Sequence, residues 1–323
     1  MSGYEGSSVL VIGGAGVIGR ELIESLVGQG ARVMCADLKP RPAWLDAAVE
    51  YVKGDAIDLT PDQVGAFEPS HVFHLAATFE RTEETEGFWE ENFHHNVALS
   101  HHVATLARQT PSVRRMVFAS SYLVYDPSLY LFDEPRPEAS PLTETDAVRP
   151  RNLCGAAKLM HEEELDFLAQ FSATPYTSVS ARIFRVYGRG SKDIVSRWVR
   201  SLIEDPSRPL QAFRVEGMFD YVYAGDVAEG LLRLGSGDAT GPVNLASGRA
   251  RRVSELLEIL AERFPGATWA EEPSDIPYEA HQADLARLSE LTGWRPPTTL
   301  EQGIEILTGH ELGATAAPDT PAR

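Results

Sequence analysis

A doubly wound α/β domain on a parallel sheet, carrying a smaller C-terminal lobe, is the fold class this sequence predicts. Three observations lead there. Short apolar runs of strand length alternate with segments of helical periodicity through residues 1–184. A glycine triplet, Gly13, Gly16 and Gly19, lies where the first such run gives way to the first helix. The chain has 323 residues, roughly twice the usual single domain, so a large α/β unit with an added lobe is the natural partition.

Residues 9–12 form the first β-rich run, and Leu22, Ile23, Leu26 and Val27 recur at helical spacing behind the glycines. A second run, 31–36, ends in Asp37, and 50–52 precede Gly54 and Asp55 as a third strand. Runs at 72–75 and 116–119 flank a helical segment over 90–109. Residues 127–150, rich in Pro, Glu and Asp, read as a long surface loop of the kind that borders active sites. Ala157, Met160, Leu165, Leu168 and Phe171 mark one face of a helix over 154–171, and 177–184 is another strand. Residues 188–209 are helical in their middle, strand patterning resumes at 221–223 and 243–245, and 253–264 is an amphipathic helix. The expected partition is a sheet domain over 1–184, completed by about 218–246, a lobe over 185–217 and 247–312, and a frayed tail over 313–323. No internal repeat is visible.

The charge balance narrows the partners. With 29 Lys and Arg against 47 Asp and Glu, the net charge of −18 repels phosphate backbones and anionic lipid, so neither nucleic acid nor a membrane surface is expected. At 43% hydrophobic and 24% charged, the composition excludes collagenous, disordered and coiled-coil classes. Cys35 and Cys154 make no disulfide framework. The opening MSGYEGSS lacks a basic n-region, and the run after it is broken by glycines and too short to span a bilayer. A cytoplasmic protein is the expectation.

The spacing G-x-x-G-x-x-G between strand and helix suits a backbone that must approach a pyrophosphate, with positive potential from the helix N-terminus. Asp37 closes the second strand 18 residues after Gly19, near the ~20 expected of a carboxylate that holds the adenosine ribose. That carboxylate repels a 2′-phosphate and favours NAD, although nearby Lys39 and Arg41 keep NADP open. Gly13, Gly16, Val17, Ile18, Gly19 and Asp37 are thus the first cofactor candidates.

The sequence resembles the extended short-chain dehydrogenase/reductase family, the NAD-dependent epimerase/dehydratase group that mostly modifies nucleotide sugars. The resemblance is carried by VLVIGGAGVIG at 9–19, Gly54-Asp55, HLAA at 74–77, Asn96-Val97, SSYLVY at 120–125, RIFRVYGRG at 182–190, DYVYAGDVAEG at 220–230, NLASG at 244–248 and LTGWRPPTTLEQGI at 291–304. These cover nearly the whole chain in the family's order. The resemblance implies a Rossmann-type domain with NAD across its strand ends and a substrate lobe behind it. It also implies that Asp55 and Ile57 border the adenine, that Leu75, Ala76 and Ala77 line the diphosphate-ribose path with Ala56 and Asn96 among the cofactor-binding residues, and that Lys158 holds the nicotinamide ribose. The helices near 92–109 and 154–171 match those that pair family members, so a homodimer is expected.

Family catalysis resembles a Ser, Tyr-x-x-x-Lys relay, in which a tyrosinate takes a hydroxyl proton and lysine lowers the tyrosine pKa. Ser121 and Lys158 match. The tyrosine position is Cys154, in CGAAK. Three readings stand open. The thiol substitutes, helped by a nearby ammonium and a helix N-terminus; another group does, with Tyr122, Tyr125, Glu80 and His74 as candidates; or Cys154 is apolar filler and the oxidoreduction has lapsed or changed. Tyr122 and Leu123 stand where the family's 4,6-dehydratases show an acidic pair, which disfavours that elimination. Arg185 replaces a usual Asn, and Phe219 a usual diphosphate-binding Arg. Arg185, a guanidinium able to clamp an anion, joins Arg189, Tyr122 and Glu80 as substrate candidates, and Arg189, Lys192, Arg197 and Arg200 hint at an anionic substrate. The pairs His94-His95 and His101-His102 are seven residues apart, ~10.5 Å along a helix, too far to share one zinc, so no metal is expected.

The function expected from these residues is an NAD-dependent, sugar-modifying enzyme, with a small anionic or nucleotide-linked sugar as substrate. It would work by transient oxidation of a ring hydroxyl followed by epimerisation, elimination or decarboxylation, with NAD retained. A net dehydrogenase or ketoreductase is the alternative within enzymes, and a catalytically lapsed NAD-binding module the alternative outside them.

Overall fold

Val9 and Val11 enter one core while Leu10 and Ile12 enter another, on opposite faces of β1 (Ser8–Ile12). A strand covered on both sides needs an unbroken apolar run, which SVLVI supplies. The computed structural model describes residues 3–79, 84–171 and 175–316. After β1 come α1 (Val17–Gly28), β2 (Arg32–Asp37), β3 (Glu50–Lys53), α2 (Pro61–Phe67), β4 (His71–His74), α3 (Glu86–Asn92), a π-helical stretch (Phe93–Ala98), α4 (Leu99–Gln109) and β5 (Arg115–Ser121). Then follow β6 (Leu131–Phe132), β7 (Ser140–Leu142), α5 (Leu153–Ala169), β8 (Thr177–Ile183), β9 (Arg185–Tyr187), α6 (Ile194–Glu204), β10 (Leu210–Ala212), β11 (Met218–Tyr223), α7 (Ala224–Ser236) and β12 (Gly241–Leu245). The chain closes with β13 (Ala250–Arg252), α8 (Val253–Arg263), β14 (Trp269–Glu271), β15 (Tyr278–Glu279), β16 (His281–Ala283), α9 (Ala286–Thr292) and α10 (Leu300–Ala316).

Seven parallel strands form the main sheet in the order β12-β8-β5-β4-β1-β2-β3. The order reverses between β1 and β4, where open α/β sheets place their ligands, outside the carboxyl ends of the strands. Leu22, Ile23 and Leu26 of α1 and Leu231 and Leu234 of α7 cover one face; Val64 of α2 and Leu99, Val103 and Leu106 of α4 cover the other. A third core, with Trp198, Leu202, Leu256, Leu260, Ile304 and Leu307, holds α6, α8 and α10 together as the lobe.

Four expectations change. Strand 221–223, expected to help complete the main sheet, lies in β11 and pairs with β9 and β13 in a separate three-stranded sheet; β12 alone returns to the main one. Apolar periodicity identifies a strand but not its partner. The loop over 127–150 contains β6 and β7, which pair with β15 and β16 and fasten it to the lobe; strands of two or three residues leave no pattern to read. The helix expected over 90–109 begins at Glu86, capped by Thr85, and is π-wound in its middle. The tail expected from 313 is helical through Ala316; residues 317–323 lie outside those described.

Candidate active site

The turn between β1 and α1 is shaped by two close approaches. Gly13 has φ +84° and a Cβ there would lie 2.5 Å from the Ala76 nitrogen. A Cβ on Gly19 would lie 2.5 Å from the Gly14 carbonyl oxygen. Gly16 is the extended N-cap of α1, with Val17 and Ile18 in the first turn, so the unpaired amides of the helix face the end of the sheet. Asp37 Oδ2 accepts from the Ala15 N–H at 2.9 Å and Oδ1 from the Lys39 N–H at 2.9 Å, which sets the carboxylate beside the glycine turn. Lys39 Nζ turns to the Ala15 carbonyl at 3.2 Å, and Arg41 turns away to the Val49 carbonyl at 3.0 Å. Cys35 is core: its side chain faces Gly14, and burial pushes the thiol up to about 12.

The N–H groups of Leu75 and Ala76 both donate to the Ile12 carbonyl, at 2.9 and 3.0 Å, laying the segment after β4 over Gly13, with Ala77 next in line. Asn96 fastens that segment from the π stretch: its Oδ1 accepts from the Thr78 N–H at 2.8 Å and its Nδ2 donates to the Thr78 carbonyl at 3.1 Å. Asp55 Oδ1 accepts from the Ile57 N–H at 3.2 Å, around buried Ala56, while Oδ2 lies 2.7 Å from His94 Nε2. Partial burial opposes its ionisation, but His94 and the Ile57 amide outweigh it and hold the carboxyl below the usual range.

At the end of β5, Ser121 Oγ accepts from the Leu123 N–H at 3.2 Å. Lys158, buried on α5, donates from Nζ to the Ala119 carbonyl at 2.6 Å, with the ammonium 4.7 Å from the centre of the Phe118 ring. Burial lowers its pKa, opposed by the charges of Cys154 and Glu162. Cys154, one turn earlier on the same helix and also buried, directs its thiol to the Thr78 carbonyl at 3.6 Å. The first turn of α5 comes this close because residue 155 is glycine, where a Cβ would stand 2.5 Å from the Leu123 carbonyl oxygen. Asn152 caps that turn through the Gly155 N–H at 2.8 Å.

Two other proton-transfer candidates are engaged elsewhere. The Tyr125 hydroxyl donates to Asn244 Oδ1 at 2.7 Å under the Arg182 guanidinium. His74 is fully buried with Ser100, its Nε2 2.9 Å from the serine hydroxyl, and burial lowers its pKa well below the ordinary value. Glu80 lies outside the described residues. Ser120 is structural, bonded to Glu162, which also takes Arg182 at 3.1 and 2.7 Å and ties α5 to β5 and β8.

On the lobe side, the structure adds Glu279, Arg151 and His281 to Tyr122 and Arg185. Glu279 Oε1 accepts from Arg151 at 2.8 Å and from Arg185 at 2.9 Å, and Oε2 from the Tyr122 hydroxyl at 3.3 Å. Arg185 lies 4.4 Å over the Phe219 ring, so the residue that replaces the expected arginine carries another one. Burial drives Tyr122 upward in pKa. Arg151 and Glu279 line a cleft of about 690 Å³ with Asp126, Pro127, Arg149 and Ile276. Glu279 stood among other acidic residues in a stretch without a motif, so nothing in the sequence singled it out.

Arg189 is placed otherwise than expected. Its guanidinium binds Glu21 at 2.8 Å and Glu24 at 2.6 Å on α1, an anchor between lobe and sheet domain. Arg200 similarly faces Glu311 at 3.3 Å and the Ser191 carbonyl. The local charge pattern revealed the cations but not these distant carboxylates.

The model of the NAD dependent epimerase/dehydratase family matches residues 9–246. A dTDP-4-dehydro-6-deoxyglucose reductase of Escherichia coli is 24% identical, with 93% of this chain and 96% of the relative aligned. A putative UDP-glucose 4-epimerase of Methanocaldococcus jannaschii is 25% identical, over 92% and 96%. Among solved structures, the Thermus thermophilus UDP-glucose 4-epimerase in complex with NAD superposes with a TM-score of 0.78 at 26% identity, over 95% of this chain and 99% of that one. MoeE5 in complex with UDP-glucose and NAD gives a TM-score of 0.78 at 25% identity, over 96% and 100%.

Proposed function

The chain belongs to the NAD-dependent epimerase/dehydratase family and is an enzyme with NAD as its cofactor, and on that premise we propose that it modifies a nucleotide-linked sugar by transient oxidation of a ring hydroxyl, retaining NAD between turnovers. One observation carries this reading: the glycine turn with Asp37 beside it, and Ser121, stand at the carboxyl ends of strands in a single sheet, with Lys158 reaching the last of those strands from α5 through the Ala119 carbonyl. The turn fits a pyrophosphate because its backbone has no side chain to hold a ligand away, and Asp37 fits a ribose diol. NAD bound there supplies the hydride acceptor and donor.

The chain's own residues do the rest. Ser121 hydrogen-bonds the reacting oxygen from the end of β5. Lys158 holds the cofactor ribose and biases protonation around it. Cys154, on the same helix one turn earlier, moves the hydroxyl proton. Its thiol is shorter than a phenol, so a water or a shifted substrate bridges the gap. Tyr122, just past the end of β5, and Arg185, from the lobe, meet the substrate. A ketone at the oxidised carbon acidifies its neighbour, which opens epimerisation, elimination or decarboxylation.

A homodimer completes the proposal. Phe93, Met160 and Phe167 are 56%, 59% and 61% exposed on the π stretch and α5, and the first two border a depression of about 350 Å³ with Val97, Ala98 and Ala157. Apolar surface of this kind marks an interface. No helix among the described residues is long and apolar enough to cross a membrane, and the two buried cysteines form no disulfide; a cytoplasmic location accords with both.

The test is to denature the purified protein and quantify released dinucleotide, then follow a panel of UDP- and dTDP-hexoses by NMR. Near-stoichiometric NAD with isomerised or eliminated product supports the proposal. Turnover only with added NAD or NADH supports net oxidoreduction instead, a reading favoured by the Escherichia coli reductase relative. No bound dinucleotide and no turnover would support the lapsed module.

A further inference from the structure

Two adjacent histidines and an aspartate just past the carboxyl end of β3 converge on one another, and none of the three is among the residues assigned to proton transfer above. His94 Nε2 lies 2.7 Å and His95 Nδ1 4.0 Å from the same oxygen, Asp55 Oδ2. One donor atom from each of the three lies within 4.8 Å of the other two, the one such group of three among the described residues. The spacing between the histidine pairs excluded a shared ion; within one pair that argument does not apply, and the third ligand comes from another element.

The backbone explains the convergence. Neighbours on an α-helix diverge by about 100°, but both histidines sit in the π stretch Phe93–Ala98, where i→i+5 winding fits more residues into a turn and narrows that angle. Their rings meet edge to face with centres 4.7 Å apart. Asn96, in the same stretch, is locked to Thr78, and Asp55 Oδ1 is locked to the Ile57 N–H, which leaves Oδ2 for the histidines. A π turn inside a helix is uncommon and frequently marks a functional site.

We propose that Asp55, His94 and His95 bind a borderline divalent transition ion of the zinc class, with water in the remaining position, and that the ion and the dinucleotide weaken each other's binding. Two imidazoles and a carboxylate suit Zn²⁺, whereas Mg²⁺ and Ca²⁺ take oxygen ligands. Bonds of ~2.0–2.2 Å in a tetrahedral site separate ligand atoms by roughly 3.3 Å. The present spacings bracket that value, and the exposed His94 ring can make the adjustment. Ion entry replaces the His94–Asp55 hydrogen bond, with the His94 proton on Nδ1. The mutual weakening rests on the dinucleotide reading above, in which Asp55 borders the adenine; the metal site itself stands on the three side chains. Such coupling is reciprocal.

The test titrates Zn²⁺ calorimetrically into the full chain freed of metal by chelator and of retained dinucleotide by charcoal, alone and with saturating NAD, beside the double variant H94Q/H95Q and a control, H101Q, that removes another exposed histidine. One equivalent is expected, bound roughly tenfold or more weakly by the double variant, unchanged in H101Q, and more weakly with NAD. Equal affinity in wild type and double variant, or no saturable binding, overturns the site. Zinc binding indifferent to bound NAD overturns the coupling. Failure of NAD to bind in its own titration overturns the dinucleotide reading and the coupling with it, while the zinc isotherm still decides the site. If the double variant does not fold, the visible spectrum of the Co²⁺-loaded wild type decides: four-coordinate bands support the site and six-coordinate bands overturn it.

Discussion

Arg185 donates to Glu279 at 2.9 Å while its guanidinium lies over Phe219, so a single carboxylate of β15 that lines the cleft also orients an arginine of β9. Arg151 binds the same oxygen at 2.8 Å. Removing the carboxylate leaves two cations facing each other. Glu279→Ala is expected to cost roughly 2–4 kcal/mol, the buried-pair penalty reduced for the partial exposure of Arg185. The fall in urea midpoint at neutral pH measures it, and an unchanged midpoint would show that the cluster is not coupled to folding.

The same carboxylate sets an acid limb. Burial would raise its pKa, but Arg185, then His281 and Arg151, outweigh burial and hold it well below the ordinary range. A folded pKa below the unfolded one stabilises fully above the unfolded value of about 4.3, and that contribution is lost as pH falls toward the folded value. Melting temperature should therefore drop on acidification below about pH 4.3, and less steeply in Glu279→Gln. Parallel slopes for the two proteins would exclude Glu279 as a source.

Gly13→Ala and Gly16→Ala should separate. At Gly13 the new Cβ lands 2.5 Å from the Ala76 nitrogen at a φ of +84°, whereas at Gly16 the nearest atom, the Gly13 carbonyl oxygen, is 3.3 Å away. Left-handed backbone alone costs an alanine about 1–2 kcal/mol, and the clash must also push the segment after β4 outward. Gly13→Ala should lose retained NAD and melting temperature together, with smaller losses for Gly16→Ala. Quantifying released dinucleotide in both variants checks this; equal retention would count against the cradle.

The parts of the site that were legible in the sequence are those made by local chain geometry. The glycine triplet, Asp37 at the end of its strand, and Cys154 four residues before Lys158 are all fixed by turns and helix spacing, so their order along the chain reported their order in space. Glu279 was invisible because its role comes from Arg151 and Arg185, which are 128 and 94 residues away in sequence. The partners of Arg189 are hidden for the same reason, since Glu21 and Glu24 reach it only when the lobe docks on α1. The π winding that turns His94 and His95 toward Asp55 has no distinct apolar period, and the sequence offers only a helix there.

The exposed face of α5 gives an association test. Met160→Glu with Phe167→Glu places charge at two outward positions without disturbing the sheet core. Light scattering after size exclusion should show the wild type at twice the chain mass and the double variant shifted toward one chain, with retained NAD unchanged. A wild type of single-chain mass would refute the dimer.

Cys154 decides whether the site turns over by the proposed chemistry. Its thiol faces the Thr78 carbonyl one turn from Lys158, while the Tyr125 hydroxyl is held by Asn244 and His74 is sealed with Ser100. General acid–base groups contribute about 10²–10⁴-fold, so Cys154→Ala should lower kcat by that order on whichever sugar nucleotide the wild type converts, with NAD still retained. Cys154→Ser, of similar size but poorer acidity, should fall between. Full activity in Cys154→Ala would move the proton transfer to Tyr122, and Tyr122→Phe should then show the loss instead.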